Sequence, residues 1–169
     1  MNKPDSTEYA PYFEKYISLV PGGEIVVTLD KQIEGALSLI RGLSEQQGEL
    51  RYAPGKWSVR EVIGHMIDTE RIFAYRAMRF ARNDATPLPG FDENTFVANG
   101  AFGARALADL ADEFEYTRKS NVYLFKNLDA EASLRRGVSN NNEISVRAIA
   151  YIIAGHELHH AEILRTRYL

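Results

Sequence analysis

Near one end of the sequence, His156-Glu157-Leu158-His159-His160 fits the pattern H-E-x-x-H. Zinc peptidases use that spacing to bring two imidazoles to one ion, with the Glu as base. A helix turns about 100° per residue, so His156 and His160 lie roughly 40° apart and one turn from each other. Two imidazoles so placed can reach one metal ion. His159 falls roughly 60° to the other side of His156 and flanks the pair rather than completing it. A peptidase of this kind draws its third ligand from downstream, yet only AEILRTRYL follows His160, with no further His or Asp. Glu162 sits two residues on, on the wrong side of the helix. The third ligand therefore has to come from upstream, and His65 in IGHMIDTE is the one histidine there.

The helices that must carry these residues can be read from apolar periodicity. Ser58 followed by Glu61 is a capping box that opens a helix at WSVRE. Its core stripe runs Val62, His65/Met66, Thr69, Ile72/Phe73, Arg76/Ala77 and Phe80, so His65 faces the interior. Ser145 is the N-cap expected for the last helix, where Ile149, Ile152/Ile153, His156, His160 and Ile163 share one face. Three imidazoles facing a core each need a partner, and an orphaned one costs on the order of 1–3 kcal/mol. A shared metal satisfies all three and leaves a coordination position open. Zinc or nickel suits imidazole donors.

Two carboxylates stand close enough in sequence to assist. Asp68, one turn after His65, is expected either to orient that ring or accept a proton, or to be an ordinary exposed carboxylate. Glu157 is expected either to act as a base or to pair with a nearby arginine at the surface. Arg71, Tyr75 and Arg79 form an i,i+4 row that suits an anionic substrate or a solvated face.

Two more helices are expected, at about Leu29 to Leu43 and Arg105 to Leu128, with a short N-terminal one through Tyr9, Tyr12, Phe13 and Tyr16. EIVVTL at 24–29 is too short for a convincing strand, and GVSNNNEIS at 137–145 reads as a turn-rich loop. The Gly/Pro/Asn-rich stretch from Asn83 to about Gly103 is a long connection. With Phe91 and Asp92 it suits a lid over the site or a plain bridge. The expectation is all-α: one domain, residues 1–169, forming a four-helix bundle with a short extra N-terminal helix and a long connection between its second and third helices.

Composition narrows the partners. A net charge of −3 gives no basic field for nucleic acid. Without cysteine there is no disulfide, thiolate ligand or thiol nucleophile. The N-terminus lacks an apolar leader, and the longest apolar run, Ala148 to Gly155, is too short to span a bilayer. A cytoplasmic protein acting on a small molecule, away from nucleic acid and membranes, is the expectation.

The stretches APGKWSVREVIGHMIDTERIFAYRAMRFARND, TPLPGFDEN and SVRAIAYIIAGHELHHAEILRTRYL together resemble the DinB-like (DinB/YfiT) superfamily of metal-binding four-helix bundles. The resemblance covers nearly the whole chain, from EYAPYFEKYISLVPGGEI onward. It implies a histidine triad with one member from the second helix and an H-x-x-x-H pair from the last, falling here on His65, His156 and His160. Some members are S-transferases using low-molecular-weight thiols such as bacillithiol or mycothiol. Others are labelled metal-dependent hydrolases, and many are homodimers. The resemblance thus implies a divalent-metal protein, and the leading expectation for its reaction is small-thiol-dependent S-transfer. Its alternatives are a hydrolase that activates water at the same metal and a non-catalytic bundle that the metal cross-links.

Overall fold

A computed structural model describes residues 1–169. Four long helices form the body: α2 (Ile25–Arg41), α3 (Val59–Ala81), α5 (Leu107–Lys126) and α7 (Val146–Ile163). They are accompanied by α1 (Glu14–Ile17), α4 (Glu93–Asn99), α6 (Ala130–Leu134) and a hairpin of β1 (Arg136–Ser139) and β2 (Asn142–Ser145). No helix is long and apolar enough to cross a membrane. The two capping signals fall where the sequence places them. Ser58 accepts from Glu61 N in a complete capping box, and Ser145 accepts from Ala148 N.

Helix α2 packs on α5 and α7, and α3 packs on α5 and α7. The ring order is therefore α2–α5–α3–α7, with α2 and α3 on one diagonal and α5 and α7 on the other. Consecutive bundle helices more often sit side by side, because short loops favour antiparallel neighbours. Here residues 42–58 and 127–145 carry the chain across the diagonals. That crossing makes α3 a neighbour of α7 and brings His65 to the H-x-x-x-H pair.

The apolar core falls into two clusters, one around Leu29, Phe73, Phe125 and Ile149, the other around Ile33, Ile63, Leu110 and Phe114. Between them lies a polar layer. Arg118, with no exposed surface, donates to both carboxylate oxygens of Glu70 at 2.8 Å and to Leu29 O at 3.2 Å. Its Nη1 also lies 2.6 Å from Glu157 Oε2. One guanidinium thus ties together all four bundle helices.

The N-terminal segment crosses α7 at Gly155, where a Cβ would lie 2.0 Å from Tyr16 O. Only glycine permits that approach, which lays Tyr16 against the histidines. The expected short N-terminal helix is α1, entered through two 3-10 turns (Ser6–Glu8, Pro11–Phe13). Glu8 anchors the segment, accepting from Ser145 Oγ at 2.7 Å and Arg147 Nε at 2.8 Å. Burial opposes the charge of Glu8, but bonds from Arg147, Asp5 N and Ser145 prevail and lower its carboxyl from 4.5 to about 2. A carboxyl depressed in the folded state stabilises above its unfolded value, and that stability drains as pH falls from about 4.5 to about 2. Glu8→Gln should cost about 2 kcal/mol at neutral pH. It should also flatten this acid limb in a series of melting curves from pH 6 to pH 2.

One expectation is corrected. The 137–145 stretch is not a loop: β1 and β2 pair antiparallel with Ser139 opposite Asn142. Asn140 and Asn141, at φ 48° and 61°, supply the left-handed pair that a tight hairpin turn needs. The 83–103 connection is long, as expected, and it holds α4 and a 3-10 turn at Phe102–Ala104. Leu88 fastens it to the hairpin, donating to Val138 O at 2.9 Å and accepting from Asn140 N at 3.0 Å.

Candidate metal centre

Helix α3 contributes one row to the interior in steps of three and four: His65, Thr69, Phe73 and Arg76, all buried. Helix α7 contributes His156, buried, and His160, partly buried, one turn on. The three imidazoles offer ligand atoms that all lie within 4.8 Å of one another, a group that could hold a metal ion. His65 Nε2 and His156 Nε2 stand 3.1 Å apart. Two nitrogens on a tetrahedral ion, each at ~2.0–2.1 Å, would be separated by roughly 3.3 Å, so this edge needs little adjustment.

Aromatic neighbours fix the rings. Trp57 lies 4.7 Å from His65 between centroids, and Tyr16 lies 5.4 Å from His156. Thr69 Oγ1 approaches His65 Nδ1 at 3.4 Å. Burial lowers His65 to about 4 and pushes His156 and His160 well below their ordinary value, reinforced by mutual repulsion among the histidines. The rings are therefore neutral at pH 7, with lone pairs free for an electrophile. Three uncharged nitrogen donors at this spacing fit a divalent ion such as zinc.

The triad opens onto a cavity of about 240 Å³. Tyr12, Phe13, Trp57, Phe73, Phe91 and Ile152 give it an apolar wall. Arg76, Ser139, Asn140 and Asn142 give it a polar end, and Glu93 is its one carboxylate. His159 also lines it, edge-on to Tyr16 at 5.3 Å, outside the converging trio. His160 borders a second space of about 270 Å³ with Trp57 and Glu93.

The structure brings His65, His156 and His160 together but leaves the two suggested carboxylates out of the cavity lining. Glu157 is buried in the ion pair with Arg118, and burial holds its carboxyl above the ordinary value against the pull of that guanidinium. It pairs with an arginine as one expectation had it, but inside the bundle instead of on its surface. Asp68 is half-buried, its carboxyl raised by burial, and it feels Arg71, Glu113 and Arg105. The contact to His65 comes from Thr69 instead. Arg71 pairs with Glu113, and Arg79 with Asp84 and Tyr75, so that row is a solvated face. From the long connection Phe91 reaches the cavity, while Asp92 caps α4 by accepting from Thr95 N at 2.6 Å.

The polar end was not foreseen as part of the site. Its sequence signals are Arg76, a charged residue on the core stripe of α3, and the NNN run in the hairpin.

A family model described as the DinB superfamily matches residues 28–164. No curated protein matches the chain by sequence. Among solved structures, YfiT from Bacillus subtilis superposes with a TM-score of 0.70 at 16% identity, over 96% of this chain and 91% of that one. That protein is described as "a probable metal-dependent hydrolase with an unusual four-helix bundle topology". At this identity the likeness is one of fold.

Proposed function

The chain belongs to the DinB superfamily, and on that premise we propose that it is a divalent-metal enzyme whose ion is held by His65, His156 and His160. The carrying observation is a converging three-imidazole group on the wall of a cavity. A structural ion is normally enclosed by four protein ligands, whereas three ligands beside open space suit catalysis. A bound ion, zinc or nickel, would supply Lewis-acid charge that lowers the pKa of an adjacent thiol or water.

The first reading is transfer of a small thiol to an electrophile. A thiol with pKa near 8.5 is within reach of neutral pH, while free water at about 15.7 is far from it. The cavity lining offers no carboxylate base other than Glu93, which suits the less demanding nucleophile. The apolar wall excludes water and holds the electrophile, and Trp57, Tyr16 and Thr69 keep the imidazoles aimed. The sulfur–carbon bond forms as the bond to the leaving group breaks, and the thiol proton passes to solvent.

The description of the YfiT structure favours a second reading, hydrolysis in the same cavity. Glu93 is then the candidate base, in place of Glu157. The test incubates zinc- or nickel-loaded protein with cysteine and 1-chloro-2,4-dinitrobenzene, and separately with p-nitrophenyl acetate. Metal-dependent thiol consumption is expected, and Glu93→Gln should leave it nearly unchanged. Inert thiols with ester turnover that falls about 10²–10⁴-fold in Glu93→Gln would establish the hydrolase instead.

A further inference from the structure

Three arginines of this chain are buried: Arg60, Arg76 and Arg118. Two have counter-ions, Arg60 in Glu45 and Arg118 in Glu70 and Glu157. Arg76 is 5% exposed and forms no ion pair with any carboxylate of the chain. Its one hydrogen bond runs from Nη2 to Pro89 O at 2.8 Å. Its guanidinium lies 5.2 Å from the ring of Phe73 and 5.9 Å from that of Phe91. Burying an unpaired cation is costly, and a fold keeps one where something else supplies the missing charge.

Arg76 also lines the triad cavity. It ends the α3 row that begins at His65, eleven residues and about 16 Å along the helix axis. Helical side chains lean back toward the N-terminus, so the guanidinium is carried toward the histidines. Beside it stand Asn140 and Asn142 of the hairpin, neutral amides that can donate hydrogen bonds without adding charge. The end is built as a unit. Asn142 Nδ2 donates to Asn140 O at 2.7 Å, and a Cβ on Gly90 would meet Asn140 Oδ1 at 2.5 Å. Leu88, beside the Pro89 that Arg76 holds, is bonded to the same hairpin.

We infer that Arg76, with Asn140 and Asn142 beside it, anchors the carboxylate of a small amphipathic substrate whose reactive end lies at the histidine triad. One guanidinium among neutral amides matches a single negative charge, and its fork fits a carboxylate with two parallel bonds. The aromatic walls between the two ends select an apolar body. The cavity volume of about 240 Å³ limits the substrate to a compact molecule. This deepens the metal-enzyme reading by giving the substrate class, and its geometry rests on that reading for the position of the reactive end.

The probes are 3-phenylpropanoate and its uncharged isostere 3-phenylpropanamide, titrated by calorimetry into zinc-loaded and metal-free protein. The carboxylate should bind at least tenfold more tightly than the amide in both forms, because the anchor does not depend on the ion. Arg76→Gln, which keeps a donor for Pro89, should remove that preference without changing metal content. Arg76→Lys should keep part of it and serves as the second variant if the first fails to fold. Equal binding of the two probes to the native protein, or no binding of either, overturns the inference. So does a preference that survives Arg76→Gln but disappears in His65→Ala or without metal, which would place the carboxylate on the ion. Failure to bind zinc at all would sink the metal reading while leaving the metal-free comparison intact.

Discussion

Zinc-loaded protein should contain about one ion per chain, and His65→Ala should weaken binding by more than about a hundredfold. Changes merely around a metal site cost 10–100-fold, so loss of a ligand should exceed that range. Of the converging group only His156 and His160 remain in the variant, two donors from one face of α7. His159→Ala is the control. Its ring lies outside the converging group, so zinc affinity should barely change. A chelator competition titration reads both variants. Zinc at about 100 times its dissociation constant should also stabilise the native protein by ~2.7 kcal/mol and His65→Ala far less. Full zinc retention by His65→Ala would remove the triad from consideration.

The triad could be read from sequence because its signals are local and mutually constraining. The i,i+4 pair names one helix face, and the scarcity of histidine names the third member. Requiring His65 to meet that pair also demands that α3 lie beside α7, a long-range contact that periodicity alone does not supply. The capped starts of α3 and α7 were legible for a similar reason, since Ser58/Glu61 and Ser145 act within one turn. Helix α2 begins at Ile25, not Leu29. There the β-branched Val26 and Val27 obscure a start that the burial of Ile25 and Leu29 one turn apart decides.

Tertiary partners account for what was missed. The hairpin strands have four residues each, too short for alternation to stand out, and the turn is Asn-Asn instead of Asn-Gly. Val138 and Ile144 flanking that pair were the available signal. Glu157, inside H-E-x-x-H, admits two readings, a base or an arginine's partner, and the structure pairs it with Arg118, a distant residue on another helix that no local pattern connects to it. Yet Arg118 lies on the apolar stripe of α5, between Phe114 and Asn121, and a guanidinium there has to find buried carboxylates.

Removing that guanidinium is the sharper test of the bundle. Arg118→Met should destabilise the protein by about 3–5 kcal/mol in equilibrium denaturation, because Glu70 and Glu157 would be left buried and uncompensated. Burial works against the Arg118 cation, yet the two carboxylates hold its pKa above the ordinary value, so charge pairing outweighs desolvation there. That loss is a large share of the 5–15 kcal/mol that holds a typical domain together. If uncompensated charge is the cause, neutralising all three positions should restore most of the loss. The triple variant Glu70→Gln, Arg118→Met, Glu157→Gln is therefore expected to be more stable than Arg118→Met alone. If the triple variant were no more stable, packing rather than charge would be the role of this layer. Because Glu157 adjoins His156 on α7, the single variant should also weaken zinc binding, and the triple variant should recover it in step with stability. Recovery of stability without recovery of zinc affinity would show that the Arg118–Glu157 contact itself positions His156, beyond holding the helices together.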